Sequence, residues 1–146
     1  MYTNILVPLD GSKRAERVLS HVERLALSFG AKVILIRAVR PSPLVGHDSS
    51  DLVQFQKNMD EIYRDAENYL NALKRKYSKM GIEAQTRVTM GPVVKEILNF
   101  AEEEKADLIA LSSHGRTGLS RLFYGSVAAG ILQRVDRPLL VIRSQD

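Results

Sequence analysis

The sequence predicts an α/β domain built on an open, five-stranded parallel sheet with helices on both faces. Three observations carry that expectation. Short apolar runs alternate along the chain with segments of helical periodicity, the helical segments are long enough to serve as crossovers, and several of the runs are apolar in both parities. A strand whose two faces are both apolar is one that helices cover on both sides. The chain has 146 residues, 45% hydrophobic and 26% charged, which suits a single domain spanning 1–146 with a core of its own.

The first strand is the apolar, β-branched run 4–9 (NILVPL), followed by Asp10, Gly11 and Ser12 as turn and helix-start residues. Ala15, Val18, Leu19, Val22, Leu25, Ala26 and Phe29 then recur on one face of a helix that Gly30 closes. Residues 33–39 (VILIRAV) form the second strand. Two prolines, a glycine and a cluster of cap residues make 40–51 a loop. From Leu52 to Met80 apolar residues step by threes and fours, giving a long helix that Gly81 ends. Ile82, Ala84 and Val88 mark a third strand, more polar on one parity and therefore expected at a sheet edge.

Gly91-Pro92 turns the chain into a third helix whose apolar side is Val94, Ile97, Leu98 and Ala101. Residues 107–112 (DLIALS) are a fourth buried strand. A polar, glycine-containing stretch from Ser113 to Ser120 precedes a last helix over about 126–135, and Arg137-Pro138 leads into a fifth strand, Leu139–Arg143. Internal repeats, low-complexity tracts and linkers are absent from the sequence.

Composition excludes several classes of function. The absence of cysteine rules out disulfide scaffolds, thiolate metal sites and thiol nucleophiles. No apolar stretch approaches the roughly twenty residues of a membrane span. The opening residues lack the basic and apolar regions of a signal peptide, so the expectation is a soluble, cytoplasmic protein. The formal net charge is +4, but basic residues alternate with acids on the helices, as on solvated faces, so nucleic acid is a poor candidate partner.

Ligands of open parallel sheets sit beyond the carboxyl ends of the strands, where strand order reverses. Two junctions there are rich in small and polar residues: Pro8 to Ser12 after strand one, and Ser112 to Gly118 after strand four, continuing to Gly125-Ser126. A 3-2-1-4-5 strand order would bring both to one crevice. Gly115 and Gly118 allow close backbone approach to an oxyanion, and Gly125-Ser126 opens a helix whose free amides and dipole favour negative charge. Arg116 and Arg121 flank the loop. Equally, Gly118 and Gly125 could be turn and packing glycines with Ser126 an ordinary helix cap. Asp10 is placed either to accept ribose hydroxyls or to cap the turn, and Ala38 and Val39 either to line a base pocket or to pack in the core.

Sharper motifs are missing: no G-x-x-x-x-G-K-[ST] loop, no G-x-G-x-x-G after a strand, and no G-x-S-x-G elbow occur. His21, His47 and His114 are too far apart for a local metal motif, and a loop-fixing role suits His114 better than a general base.

The runs ILVPLDGS, VILIRAV, MGPVVKEI and LIALSSHGRTGLSRLFYGSVAAGILQRVDRPLLVIR resemble the universal stress protein family over nearly the whole chain, apart from about 41–60. ATP-binding members carry G-x2-G-x9-G-[ST], and that register falls here on Ser112, Gly115, Gly125 and Ser126, with serine in place of the first glycine. The resemblance implies a Rossmann-like fold of the adenine nucleotide alpha hydrolase type, and ATP, with or without magnesium, as ligand. It implies phosphates at Gly115, Gly125, Ser126 and the Val127 backbone, ribose at Asp10 and Ser112, and the base at Pro8, Leu9 and the Ala38 backbone, with Arg116 counted among the binding residues because it flanks the loop. It also implies a homodimer through Leu139–Arg143, an edge strand apolar enough to pair across a two-fold axis.

The leading expectation is therefore an ATP-binding, dimeric switch or interaction module in stress response rather than a true enzyme. Two alternatives remain open: slow ATP hydrolysis or phosphoryl transfer, and a nucleotide-independent module whose partner docks on 41–60.

Overall fold

The structure is a computed structural model and describes residues 1–40, 46, 48–115 and 125–145. Five parallel strands form one sheet in the order β3-β2-β1-β4-β5: β1 (Asn4–Pro8), β2 (Lys32–Val39), β3 (Ala84–Met90), β4 (Leu108–Gly115) and β5 (Leu139–Gln145). The helices are α1 (Leu19–Phe29), α2 (Ser49–Lys79), α3 (Val93–Glu103) and α4 (Ser126–Arg134). The expected α/β architecture and strand order are both present, with β3 at an edge as its half-polar pattern requires.

The alternation of side chains along each strand sorts the core into two layers. Ile5, Val7, Val33, Leu35, Leu108 and Ala110 face α1 and α2, meeting Val22, Ala26, Leu70 and Tyr77. Leu6, Ile34, Ile36, Ile109 and Leu111 face α3 and α4, meeting Ile97, Ala101, Ala128 and Ile131. Burying both faces of the central strands is why their sequences show no polar parity. On the second face α3 and α4 approach closely at Gly130, where an added Cβ would stand 2.8 Å from Cγ2 of Val94.

Several elements begin or end differently from the sequence expectation. Helix one opens as a 3-10 turn, Ala15–Val18, and becomes α-helical only at Leu19. Helix two starts earlier than Leu52, because Asp48 and Asp51 form a capping box: the Asp48 side chain accepts from the Asp51 amide at 3.0 Å, and Asp51 accepts in return from the Asp48 amide at 3.4 Å. Strand four runs past Ser112 to Gly115, and strand five past Arg143 to Gln145. Their mutual ladder, from Ile109 with Leu139 to Gly115 with Gln145, supplies the backbone partners that carry both strands on. The segment 116–124 lies outside the described residues, and with it Arg116, Gly118 and Arg121.

The two ends of the sheet are finished differently. At the amino end, Asp107 accepts from the Thr3 amide and hydroxyl, both at 2.8 Å, and from the Asn4 amide at 3.0 Å. Burial pushes the Asp107 carboxyl up, but those donors outweigh it and hold its pKa below the ordinary value. The Arg137 guanidinium donates to the Ala101 and Ala106 carbonyls at 2.7 and 3.0 Å and to Glu102 at 2.7 Å, closing the end of α3. No helix among the described residues is long and apolar enough to cross a membrane.

Candidate functional site

A recess opens at the carboxyl end because β1 and β4 part company. Their register pairs Ile5 with Leu108 and Leu6 with Ile109, after which both strands continue without pairing each other. On its other side β1 stays with β2 through Pro8 and Ile36, and the Leu9 amide still donates to the Ile36 carbonyl at 2.9 Å. This is the point at which strand order reverses, and the gap between the diverging strands is what a ligand can enter.

Residues from six segments line the gap: Pro8, Leu9 and Asp10 from β1 and its turn, Ala15 from the 3-10 turn, Ile36 and Ala38 from β2, Val93 and Ile97 from α3, Leu111 and Ser112 from β4, and Ser126 and Val127 from α4. This inner recess has a volume of about 140 Å³, and it adjoins a shelf of about 580 Å³ between Arg40, Gly91, Pro92, Val93, Val94, Ser126 and Val127. Together they fall within the ~300–1,000 Å³ typical of small-molecule sites.

The turn after β1 is held by its own side chains. The Ser12 amide donates to Oδ1 of Asp10 at 2.8 Å, and Oγ of Ser12 accepts from the Ala15 amide at 3.1 Å. Asp10 thus fulfils its turn role while remaining exposed at the recess. Gly11 sits at φ +87°, and a Cβ there would meet Nη1 of Arg37 at 3.2 Å, so the turn is seated on that guanidinium. Arg37 in turn lies over the Tyr69 ring, 5.9 Å from its centre, and Tyr69 donates to Glu16 at 2.9 Å. Burial first, then the bond to Glu16, push the Tyr69 phenol well above its ordinary range, so it stays a donor.

The opposite side of the recess is a helix start without a side-chain cap. Gly125 is the residue preceding α4, at φ +81° and ψ +154°, a conformation close to glycine-only. Having no side chain, it cannot cap the first amides of α4, and helical geometry leaves those of Ser126, Val127 and Ala128 without i−4 partners. The bond from the Ala129 amide to the Gly125 carbonyl at 3.0 Å is the first of the helix. Ser126 is therefore the first helical residue and not the cap, with its side chain exposed at the rim.

Between these corners lies an apolar wall of Pro8, Leu9, Ile36, Ala38, Val93, Ile97 and Leu111. Ser112 stands at its polar margin, donating from Oγ to the Ala15 carbonyl at 3.1 Å. Of the expected site residues, Pro8, Leu9, Asp10, Ala38, Ser112, Ser126 and Val127 line this one recess. Gly125 immediately precedes its α4 wall, and Gly115 ends the strand that carries Ser112. Arg116 lies outside the described residues. Of the basic residues near the junctions, Arg40 lines the shelf, whereas Lys13 lies 3.9 Å from Glu16 and does not line the recess. Sequence reasoning passed over Ala15, Ile36, Val93, Ile97 and Leu111, because at helical or strand spacing an apolar wall reads as core.

An α/β sheet with its cavity at the strand-order reversal defines a nucleotide-fold protein of the Rossmann-like kind. The chain belongs to the universal stress protein family, whose model matches residues 1–143. It is 31% identical over 143 residues to universal stress protein MJ0531 of Methanocaldococcus jannaschii, covering 98% of this chain and 83% of that protein. Universal stress protein MJ0577 of the same organism is 26% identical, and its solved structure superposes with a TM-score of 0.85 over 100% of this chain and 99% of that one. A universal stress protein from Archaeoglobus fulgidus, solved in complex with dAMP, is 22% identical and shares the fold at a TM-score of 0.66, covering 97% of this chain and 98% of that one.

Proposed function

We propose that this protein binds an adenine nucleotide, ATP, in the recess between β1 and β4, and serves in stress response as a dimeric, nucleotide-dependent switch or interaction module. The observation that carries the reading is the convergence of Pro8, Leu9, Asp10, Ala38, Ser112, Ser126 and Val127, drawn from four separate strand and helix ends, on one recess.

The chemistry of the recess is graded in the order a nucleotide requires. The apolar wall suits the flat faces of a purine, and the acceptors Asp10 and Ser112 suit a sugar. The open amides of α4, with a dipole worth about half a positive charge at that end, suit phosphate. Arg40 on the adjoining shelf would meet the outer phosphates, and Gly115, at the end of β4, would approach them with its backbone. The dAMP complex of the Archaeoglobus fulgidus protein lends support, as a protein of this fold that holds an adenine nucleotide. The edge strand β5, with Leu139, Leu140, Val141 and Ile142 half-buried, is the proposed dimer contact.

Isothermal calorimetry with ATP tests the site. The wild type is expected to bind one nucleotide per chain, Gly115→Val to abolish binding because a branched side chain hinders close backbone approach to phosphate, and Ser126→Ala to weaken it. Absence of binding by the wild type, or equal binding by all three proteins, overturns the assignment. Sedimentation with and without ATP tests the dimer and its response to nucleotide.

A further inference from the structure

The serine that stands at position 112 occupies the first glycine position of the phosphate-binding pattern, and its hydroxyl has a definite polarity. A carbonyl oxygen can only accept, so the 3.1 Å contact between Oγ of Ser112 and the Ala15 carbonyl uses the single proton of the hydroxyl. What the oxygen has left to offer is its lone pairs. Ser112 and Ala15 both line the recess, together with Asp10, which as a carboxylate is also an acceptor. A phosphate oxygen set against the Ser112 and Asp10 side chains would meet acceptor oxygens. A ligand group that carries its own proton would be matched.

The position of the corner narrows that group. The aromatic part of a ligand is served by Ile36, Ala38, Ile97 and Leu111, which offer no side-chain polarity, and the anionic part by the start of α4. Ser112 lies at the border of the apolar wall, beside Asp10, where the sugar of a nucleotide joins its base to its phosphates.

We propose that Ser112 is a specificity-determining residue of this site: its hydroxyl, oriented by the Ala15 carbonyl, accepts a hydrogen bond from a ribose hydroxyl and selects ribonucleotides over their deoxy counterparts. This rests on the nucleotide reading above and adds the sugar class to it. The same bond ties the end of β4 to the 3-10 turn after β1, so the residue that reads the sugar also sets the width of the recess. A glycine at this position has no hydroxyl with which to make this tie or to accept from the sugar.

The test is calorimetry with ATP, 2′-deoxy-ATP and 3′-deoxy-ATP on the wild type, Ser112→Ala and Ser112→Thr, with a melting curve for each. One neutral hydrogen bond corresponds to roughly a 3- to 10-fold change in affinity. The wild type is expected to bind at least one of the deoxy nucleotides that much more weakly than ATP. In Ser112→Ala the penalty should shrink to below about twofold, because ATP alone loses affinity. Ser112→Thr, which keeps an acceptor, should retain the discrimination.

Equal binding of all three nucleotides by the wild type overturns the proposal without any variant. So does a deoxy penalty of the same size in the wild type and Ser112→Ala, which would leave the serine as a structural tie only. Both outcomes leave nucleotide binding itself intact. A wild type that binds none of the three nucleotides overturns the nucleotide reading and this inference with it.

Discussion

The amino and carboxyl ends of the sheet use similar residues to opposite effect. At the amino end, Asp107 collects donors from Thr3 and Asn4, and Arg137 reaches two backbone carbonyls and Glu102, so loose groups of neighbouring elements are tied by side chains far away in sequence. At the carboxyl end, Asp10 and Ser12 hold their own turn, accepting from the Ser12 and Ala15 amides, and the start of α4 has glycine where a capping side chain would sit. One end consumes its hydrogen-bonding capacity in holding the fold together. The other keeps donors and acceptors facing a cavity. A polar residue at a strand end therefore means little until the end of the sheet it occupies is known.

That contrast can be broken experimentally from either side. The largest effect is expected from Arg137→Ala. The guanidinium is 15% exposed and its loss strands two backbone carbonyls, so about 2–4 kcal/mol of stability should disappear in urea titration. ATP affinity should stay within about twofold of wild type, since the residue lies at the far end of the strands.

Gly125→Ala should show the reverse pattern. A side chain at φ +81°, ψ +154° costs about 1–3 kcal/mol of backbone strain, which relaxation of the α4 start would relieve. The expected outcome is a loss of ATP affinity of tenfold or more by calorimetry, with a smaller fall in urea midpoint than in Arg137→Ala. A Gly125→Ala protein that binds ATP normally would remove α4 from the site.

Acid should act on the amino end. Because the folded pKa of Asp107 is depressed, its contribution to stability is complete above the unfolded carboxylate value, near 3.8, and is lost as pH falls through the folded value. Urea midpoints measured from about pH 6 down to about pH 2 should therefore fall more steeply for wild type than for Asp107→Asn, the excess appearing below about pH 4. Parallel curves would mean that other carboxylates govern the acid limb.

The smallest effect is expected from Ser126→Ala. As the first helical residue and not the cap, Ser126 contributes one hydroxyl at the rim, so ATP affinity should fall by about 2- to 10-fold and the melting temperature should hardly move. A clear drop in melting temperature would show instead that Ser126 acts as a structural cap.

Much of this was legible along the chain. Strands apolar in both parities required helices on two faces, and Val33, Ile34, Leu35 and Ile36 are buried in alternating layers as that requires. The turn and polar residues of the recess, from Pro8 to Asp10 and at Ser112 and Ser126, were legible too because junction chemistry is a local pattern, whereas most of its apolar wall read as core. Element boundaries were less so. The early start of α2 is written in Asp48 and Asp51, but a cap is recognisable only beside a confident helix. The extension of β4 through Ser113 to Gly115 depends on how far its ladder with β5 continues, to Gln145, which no local pattern reveals. Arg37 and Tyr69 read as ordinary strand and helix residues, and only their stacking under Gly11 shows that they support the turn.

By itself, the sequence determined which segments become strands and helices, that the strands run parallel with helices on both sides, and which residues have the chemistry to meet a nucleotide. These are properties of periodicity and residue type, and they do not depend on what lies opposite. The tertiary structure alone decided where β1 and β4 separate, that Ser112 donates its proton to Ala15, and that Ser126 begins α4 rather than capping it. Each of these rests on a partner distant in sequence or on a backbone angle, and hydrogen-bond polarity exists only once both partners are in place.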